Sequence, residues 1–265
     1  MILAVDVGNS ITTISLFDRA GAAVFFSELE TDKNKSRDQF ALYLLGVFQL
    51  YGADIRGVQG AILSCVVPPL SASVVRAVER LIGKSPLVIG PGIRTGLNIR
   101  SDLHNQLGGD IVASSVAALA RYPSPVIVID MSTATTFSLL RNGIYEGCAI
   151  CPGVRLGLEA LSERAAELPH ISVECPPTPL GRNTIDAMRS GVLYGNAGMV
   201  DSMIARFEEA GRSPAGAVVA TGGNAPLILP YCRRSITYDP NLLMDGLYLL
   251  YQKNADRRKD IKSGR

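Results

Sequence analysis

The chain has 265 residues, of which 47% are apolar and 19% charged, so it can bury a sizeable core in one large domain or two modest ones. A balance of 26 Lys and Arg against 24 Asp and Glu leaves a net charge of +2. That excludes a strongly basic nucleic-acid surface, and the one basic cluster, the terminal "RRKDIKSGR", reads as a solvated, frayed tail. Five cysteines, at 65, 148, 151, 175 and 232, argue against a disulfide framework and for a reducing compartment, the cytoplasm.

The opening "ILAVDV", "ITTISLF" and "AAVFFSEL" are β-branched or aromatic runs separated by "GNS" and "DRAG", the pattern of three strands joined by tight turns. Ser36 and Gln39 make a capping box ahead of the apolar helix "FALYLLGVFQLY". A strand in "VQGAILSCVV", a break at Pro68 and Pro69, a helix "SASVVRAVERLI" and a strand "PLVIG" follow, in the order of a sheet covered by helices. The segment "IGKS" resembles the end of a phosphate-binding P-loop, but Val78 stands where its first glycine is required and a helix precedes it. The helix "VASSVAALARY" then leads into "PVIVIDMSTATTFSLLRNGIYEGCAI". There Cys148 and Cys151 form one C-x-x-C with no second pair, and read as small residues in a buried strand. Helices in "RLGLEALSERAAEL" and "TIDAMRSGVLYGNAGMVDSMIARFEEA", a strand "GAVVATGG" and a last helix "LLMDGLYLLYQKN" complete the second half. No apolar run reaches the roughly 18 residues of a membrane span, and "MILAVDVGNS" has no basic, cleavable leader, so neither membrane nor secretion is expected.

The chain repeats itself. "VDVGNSITTISLFDRAG" and "IDMSTATTFSLLRNG" align with a single-residue gap, Asp6 on Asp130, Thr12 and Thr13 on Thr135 and Thr136, Ser15 on Ser138, and Gly21 near Gly143. Two similar lobes, residues 1–118 and 119–265, are expected, each with an Asp at the end of its first strand. Paired carboxylates in Gly- and hydroxyl-rich turns suit Mg²⁺, which takes one or two carboxylates plus phosphate oxygens, and so suit a nucleotide. The glycines let backbone N–H groups approach phosphate closely.

"DVGNS", "SCVVPPL", "TGLNI", "GGD", "DMSTATT", "CPG", "GRNTIDAMRSG", "ATGG" and "LMDGLYLLYQKN" occur in the order found in type III pantothenate kinases. The chain resembles that family over nearly its whole length. The resemblance implies the duplicated ribonuclease H-like fold of acetate kinase, sugar kinases, Hsp70 and actin, in an α/β chain with two lobes of mixed sheet flanked by helices. It implies a homodimer that transfers the γ-phosphate of ATP to pantothenate, the first step of coenzyme A synthesis, with Mg²⁺ and a monovalent cation, K⁺ or NH₄⁺. Carried over by position, Asp6, Val7, Gly8, Asn9, Ser10, Ile11, Thr12 and Thr13 would form the phosphate turn, with Asp6 reaching Mg²⁺ through water. Thr133, Gly222 and Gly223 would also touch ATP, and Asp130 would hold the monovalent cation. Ser101, Gly108, Gly109, Asp110, Ile111 and Thr184 would line the substrate pocket, Thr184 from the neighbouring subunit. Asp110 stands at the place of the catalytic base, and it could also cap the following helix.

The same comparison exposes departures. The family reads Gly-Ala-Asp-Arg where this chain has Gly108, Gly109, Asp110 and Ile111, and that arginine binds the pantothenate carboxylate. Ser101 replaces a pocket tyrosine, Asp102, Leu103 and His104 replace Asp-Asn-Pro, and Ser132 replaces a glycine of the second turn. Three functions follow: a pantothenate kinase that holds the carboxylate with another base, Arg100 or Arg182; a kinase for a less acidic alcohol; or a non-catalytic, nucleotide-binding regulator.

Overall fold

The computed structural model describes residues 1–99, 106–176 and 178–263. The chain divides into two compact units. The first holds Met1–Gly96, the segment ending at Ala117 and the chain from Leu242 onward; the second runs from Ala118 to Asn241 and adds the short strand that follows Gly96.

In the first unit β1 (Ile2–Val7), β2 (Ile11–Phe17) and β3 (Ala23–Glu30) form an antiparallel meander, while β4 (Gly60–Cys65) and β5 (Leu87–Val88) add in parallel beyond β1. The sheet order is β3-β2-β1-β4-β5. One face is covered by α1 (Arg37–Leu50) and α2 (Pro68–Ile82): Leu3, Val5 and Val7 alternate inward along β1 and pack with Phe40, Leu44, Leu70 and Val74. The capping box is formed, Ser36 accepting from the Gln39 N–H while the Gln39 side chain accepts from the Ser36 N–H at 2.8 Å. Pro68 and Pro69, expected as a break, instead open α2, because a first-turn residue leaves its N–H unbonded and proline has none to lose. Gly83 closes α2 in the left-handed region at φ 67°, so "IGKS" is a helix cap.

The last helix, α7 (Leu242–Ser263), packs on β1 and β4, where the sequence order had attached it to the second half. Two close approaches hold it there. Tyr251 fills the space beside Gly60 on β4, and Tyr248 stacks on Phe17 with ring centroids 4.8 Å apart. Asn254, buried, anchors the segment after β5 by accepting from the Arg94 N–H and donating to its carbonyl, both at 3.0 Å. The helix backbone continues to Ser263, through residues that the composition suggested would fray.

The second unit repeats the plan. β7 (Val126–Met131), β8 (Ala134–Arg141) and β9 (Ile144–Pro152) form the meander, and β10 (Ala217–Thr221) and β11 (Thr237–Tyr238) follow in parallel. The sheet order is β11-β10-β7-β8-β9, extended at β9 by β6 (Asn98–Ile99). The duplication extends to register. Asp6 pairs with Thr13 as Asp130 pairs with Thr136, and Ala4 with Ser15 as Val128 with Ser138. Both second strands bulge at the same place, between Leu16 and Phe17 and between Leu139 and Leu140. The one-residue gap falls in the first turn, which has three residues after Val7 and two after Met131. Ile127, Ile129, Met131 and Phe137 pack against α4 (Val154–Arg164), the long α5 (Thr184–Ala210) and the short α6 (Ala225–Ile228).

Cys148 and Cys151 lie on β9, opposite Ser138 and Thr135, and all five cysteines are free. Three residues apart on a strand, they project to opposite faces. Among the described residues no helix is long and apolar enough to cross a membrane.

Candidate functional site

In the first unit the candidate residues gather where β1 and β4 end. Asp6 stands beside Ser64 and Val7 beside Cys65 in the parallel register. The 8–10 turn is drawn tight by the Gly8 N–H donating to the Ile11 carbonyl at 3.0 Å. A Cβ on Gly8 would lie 2.8 Å from that carbonyl oxygen, so only glycine fits there. Asn9, Ser10 and Ile11 are exposed at the tip, whereas Asp6 is 7% exposed. Two of the expected contacts serve the fold through their side chains. Val7 is a core residue whose carbonyl accepts from the Val66 N–H at 3.0 Å, and buried Thr12 shares a 2.9 Å hydrogen bond with Thr31. Thr13, across from Asp6, is half-buried.

Helix α3 (Gly109–Arg121) brings Asp110 to the same end. Its first residue is Gly109, so Asp110 sits inside the first turn and is not the cap that the sequence allowed. A Cβ on Gly109 would stand 2.9 Å from the Ser64 hydroxyl and 3.2 Å from Ile89, which means that the double glycine lets the helix head press directly on the strand carrying Ser64. The Asp110 carboxylate accepts from the Ile111 N–H at 2.9 Å. Burial raises its pKa above the ordinary carboxylate range, partly offset by that backbone hydrogen bond, and no described Lys or Arg pairs with it. Cys65 responds to the same environment, since burial pushes its thiol pKa up and the negative charge of Asp6 adds to the effect. Asp6, Ser64, Cys65 and Asp110 therefore make one acidic, largely desolvated corner. Ser64 was missed as a site residue although it lies in the quoted "SCVVPPL".

The second unit builds a separate turn around Asp130, at the end of β7. The Ser132 hydroxyl donates to the Asp130 carboxylate, and the Ser132 N–H closes the turn on the Ala134 carbonyl at 3.0 Å. Gly222, at φ 89°, rests on this turn, where a Cβ would lie 2.6 Å from the Met131 carbonyl carbon and 2.7 Å from an Asp130 carboxylate oxygen. Gly223 faces open space. Gly153, the cap of α4, lies against the Ser132 and Thr133 carbonyls and donates to the latter at 3.2 Å. Asn224, 8% exposed, directly follows the quoted "ATGG" but carried no assignment in the sequence. It donates from its side chain to the Ser132 carbonyl at 2.9 Å and from its backbone to the Met131 carbonyl at 3.0 Å. Its side-chain oxygen accepts from Arg155 Nε at 3.2 Å. Nothing in the local pattern around "CPGVR" distinguished Arg155 from an ordinary exposed helix residue.

Thr184 is the first residue of α5, behind Asn183, which caps the helix by accepting from the Asp186 N–H at 2.9 Å. Thr184 lines an apolar groove of about 500 Å³ with Val154, Leu158, Leu161, Leu168 and Met188. Ser101, like Arg100 and the 102–104 segment, lies outside the described residues.

Among the described residues no cluster of three or more His, Cys, Asp or Glu could enclose a metal. A single carboxylate with neighbouring hydroxyls at each turn fits Mg²⁺ in its usual nucleotide-bound form, with most ligands taken from water and phosphate. Asp130, already engaged by Ser132, offers the one acidic side chain identified for the second turn.

The solved structures that this chain resembles share its fold. A protein of Campylobacter jejuni described as a Baf family transcriptional activator is 20% identical over 96% of this chain and 99% of its own, with a TM-score of 0.61. The Clostridium difficile activator of 2-hydroxyisocaproyl-CoA dehydratase, solved with ADPNP, is 10% identical over 97% of both chains, at a TM-score of 0.59. A ROK family glucokinase from Streptomyces griseus, solved with glucose and AMPPNP, is 14% identical over 95% of this chain and 99% of its own, at 0.52. The fold is that of the actin-like ATPases and sugar kinases. The type III pantothenate kinase family model matches residues 2–206, so the chain belongs to that family of kinase-type, ATP-binding proteins.

Proposed function

We propose that the protein phosphorylates pantothenate to 4′-phosphopantothenate with ATP, the first step of coenzyme A biosynthesis. The observation that carries this reading is Asp110: a carboxylate at the head of α3, desolvated, unpaired with any described cation and packed against the corner that holds Asp6. A raised pKa makes a carboxylate a better proton acceptor, which a general base for an alcohol requires. The pantothenate 4′-oxygen attacks the γ-phosphorus in line as the bond to the ADP oxygen breaks, and the hydroxyl proton passes to Asp110. The exposed 8–10 turn offers backbone N–H groups to the phosphates. Mg²⁺, when bound with the nucleotide near Asp6, neutralises phosphate charge. Asp130 would serve a monovalent cation, K⁺ or NH₄⁺, beside the second turn, and Thr133, Gly222 and Gly223 would meet the nucleotide there.

Two further parts complete the proposal. Thr184 enters the substrate site of a second copy in a homodimer, and the apolar groove it lines supports this by offering a face to cover. Arg182, exposed two residues earlier and without a described partner, is the candidate for the substrate carboxylate. The free state of all five thiols accords with the cytoplasm.

Ile111 favours a second reading. An isoleucine cannot replace a carboxylate-binding arginine without losing a charged hydrogen bond of about 1.5–3 kcal/mol. The protein could then serve another alcohol or act as a nucleotide-binding regulator, in the manner that the name of the Campylobacter jejuni relative suggests for that protein. ADP release with pantothenate, Mg²⁺ and K⁺ or NH₄⁺ separates these readings: release supports the kinase, and ATP binding without release supports the regulator.

A further inference from the structure

Arg155 is a charged side chain held in place without a charged partner. It follows the Gly153 cap in the first turn of α4, is exposed, and donates from Nε to Asn224 at 3.2 Å. Asn224 is itself fixed, buried and bonded through its side chain to the Ser132 carbonyl and through its backbone to the Met131 carbonyl. The guanidinium is thus tethered through one rigid amide to the Asp130–Thr133 turn. An Arg has five N–H donors in a planar fork, and the Nε contact uses one. Among the described residues the two terminal nitrogens have no partner.

A tether of this kind costs side-chain entropy. A free surface arginine ordinarily gains little by giving up that freedom for a neutral acceptor. The arrangement is that of a pre-oriented fork with its outer edge left open, the geometry that recognises two oxygens of one phosphate or carboxylate. Three neighbouring features select an anion there. The Gly153 cap leaves α4 N–H groups at the same end. Gly223, next to the Gly222 that packs on this turn, faces open space and adds no side chain. The carboxylate of Asp130 is already engaged by Ser132 and does not pair with Arg155.

We infer that Arg155 binds a phosphate group of the nucleotide at the second turn, with Asn224 as the residue that positions it. This rests on the nucleotide reading proposed above and adds to it the residue that distinguishes a nucleoside phosphate from a bare nucleoside. Calorimetry on the full chain with ADP and with adenosine tests it, using wild type, Arg155→Gln and Arg155→Lys. Arg155→Gln should weaken ADP binding about tenfold or more and flatten its salt dependence while leaving adenosine binding unchanged, and Arg155→Lys should recover part of the loss. ADP binding by Arg155→Gln equal to wild type at low and high salt overturns the assignment. So does an equal loss of ADP and adenosine, since Arg155 would then only support Asn224 and the turn. A wild type that binds neither ligand overturns the underlying nucleotide reading as well.

Discussion

Replacing Asp110 with Asn separates two consequences of one buried carboxylate. The amide oxygen can still accept from the Ile111 N–H, now at 2.9 Å from the carboxylate, so the head of α3 should keep its form. What is lost is the capacity to take a proton. A positioned general base is worth about 10²–10⁴-fold in rate, so turnover should fall by that factor with ATP affinity unchanged, because the base acts in transfer and not in nucleotide capture. Stability should move the other way. The folded-state pKa of Asp110 is raised by burial, so between the ordinary aspartate pKa and that raised value the folded chain holds a proton the unfolded chain has released. Over that window stability falls as pH rises, and above it the ionised carboxylate is a standing cost. Asp110→Asn should therefore raise the melting temperature at pH 7–8, and the gain should vanish at a pH below the ordinary aspartate range of about 3.9. Steady-state kinetics and thermal melts across pH check both halves. A variant that melts lower than wild type at pH 8 would contradict the desolvated carboxylate, and a variant with wild-type turnover would remove Asp110 from the chemistry.

Gly109→Ala should push α3 off the Ser64 strand, because its Cβ would meet the Ser64 hydroxyl at 2.9 Å and Ile89 at 3.2 Å; turnover should drop more than nucleotide affinity, measured side by side. Gly222→Ala combines φ 89° with a Cβ 2.6 Å from the Met131 carbonyl carbon, and should cost about 2 kcal/mol or more in denaturant unfolding. Ile111→Arg should improve use of pantothenate about tenfold or more, chiefly in KM, since a carboxylate remote from the reacting hydroxyl is held equally in ground and transition states. An arginine variant slower than an efficient wild type would mean that another residue already holds that carboxylate. Sedimentation at micromolar concentration should find a dimer, and Thr184→Ala should impair pantothenate use; a fully active monomer would refute the shared site.

The duplicated plan was legible because it is written in period-two strands and in side chains that must keep their register. Asp6, Thr13 and Ser15 recur as Asp130, Thr136 and Ser138, and a register slip would turn each to the opposite face. The capping box at Ser36 was legible for a similar reason, since the signal and the structure involve the same three-residue reach. The two-residue strands β6 and β11 carry no period and were not read, whereas β5, equally short, was legible because it lies in the apolar run "PLVIG". Helix α7 was misattached because sequence order does not reveal that Tyr248 and Tyr251 fit beside Phe17 and Gly60, contacts made across most of the chain. At the site, the acidic turns announced themselves by composition. Ser64, Asn224 and Arg155 did not, because their part depends on the register of β4 beside β1 and on a hydrogen-bonded chain that closes only in three dimensions.

In the proposed reaction the Asp110 corner accepts the alcohol proton during phosphoryl transfer to pantothenate. Following phosphate from γ-labelled ATP into pantothenate, with Mg²⁺ and K⁺ or NH₄⁺ present, compares wild type and Asp110→Asn on that step. The wild type should yield labelled 4′-phosphopantothenate and the variant about 10²–10⁴-fold less, with ATP binding equal in the two. Label that never reaches pantothenate from a wild type that binds ATP, or that reaches it equally well from both proteins, would contradict it.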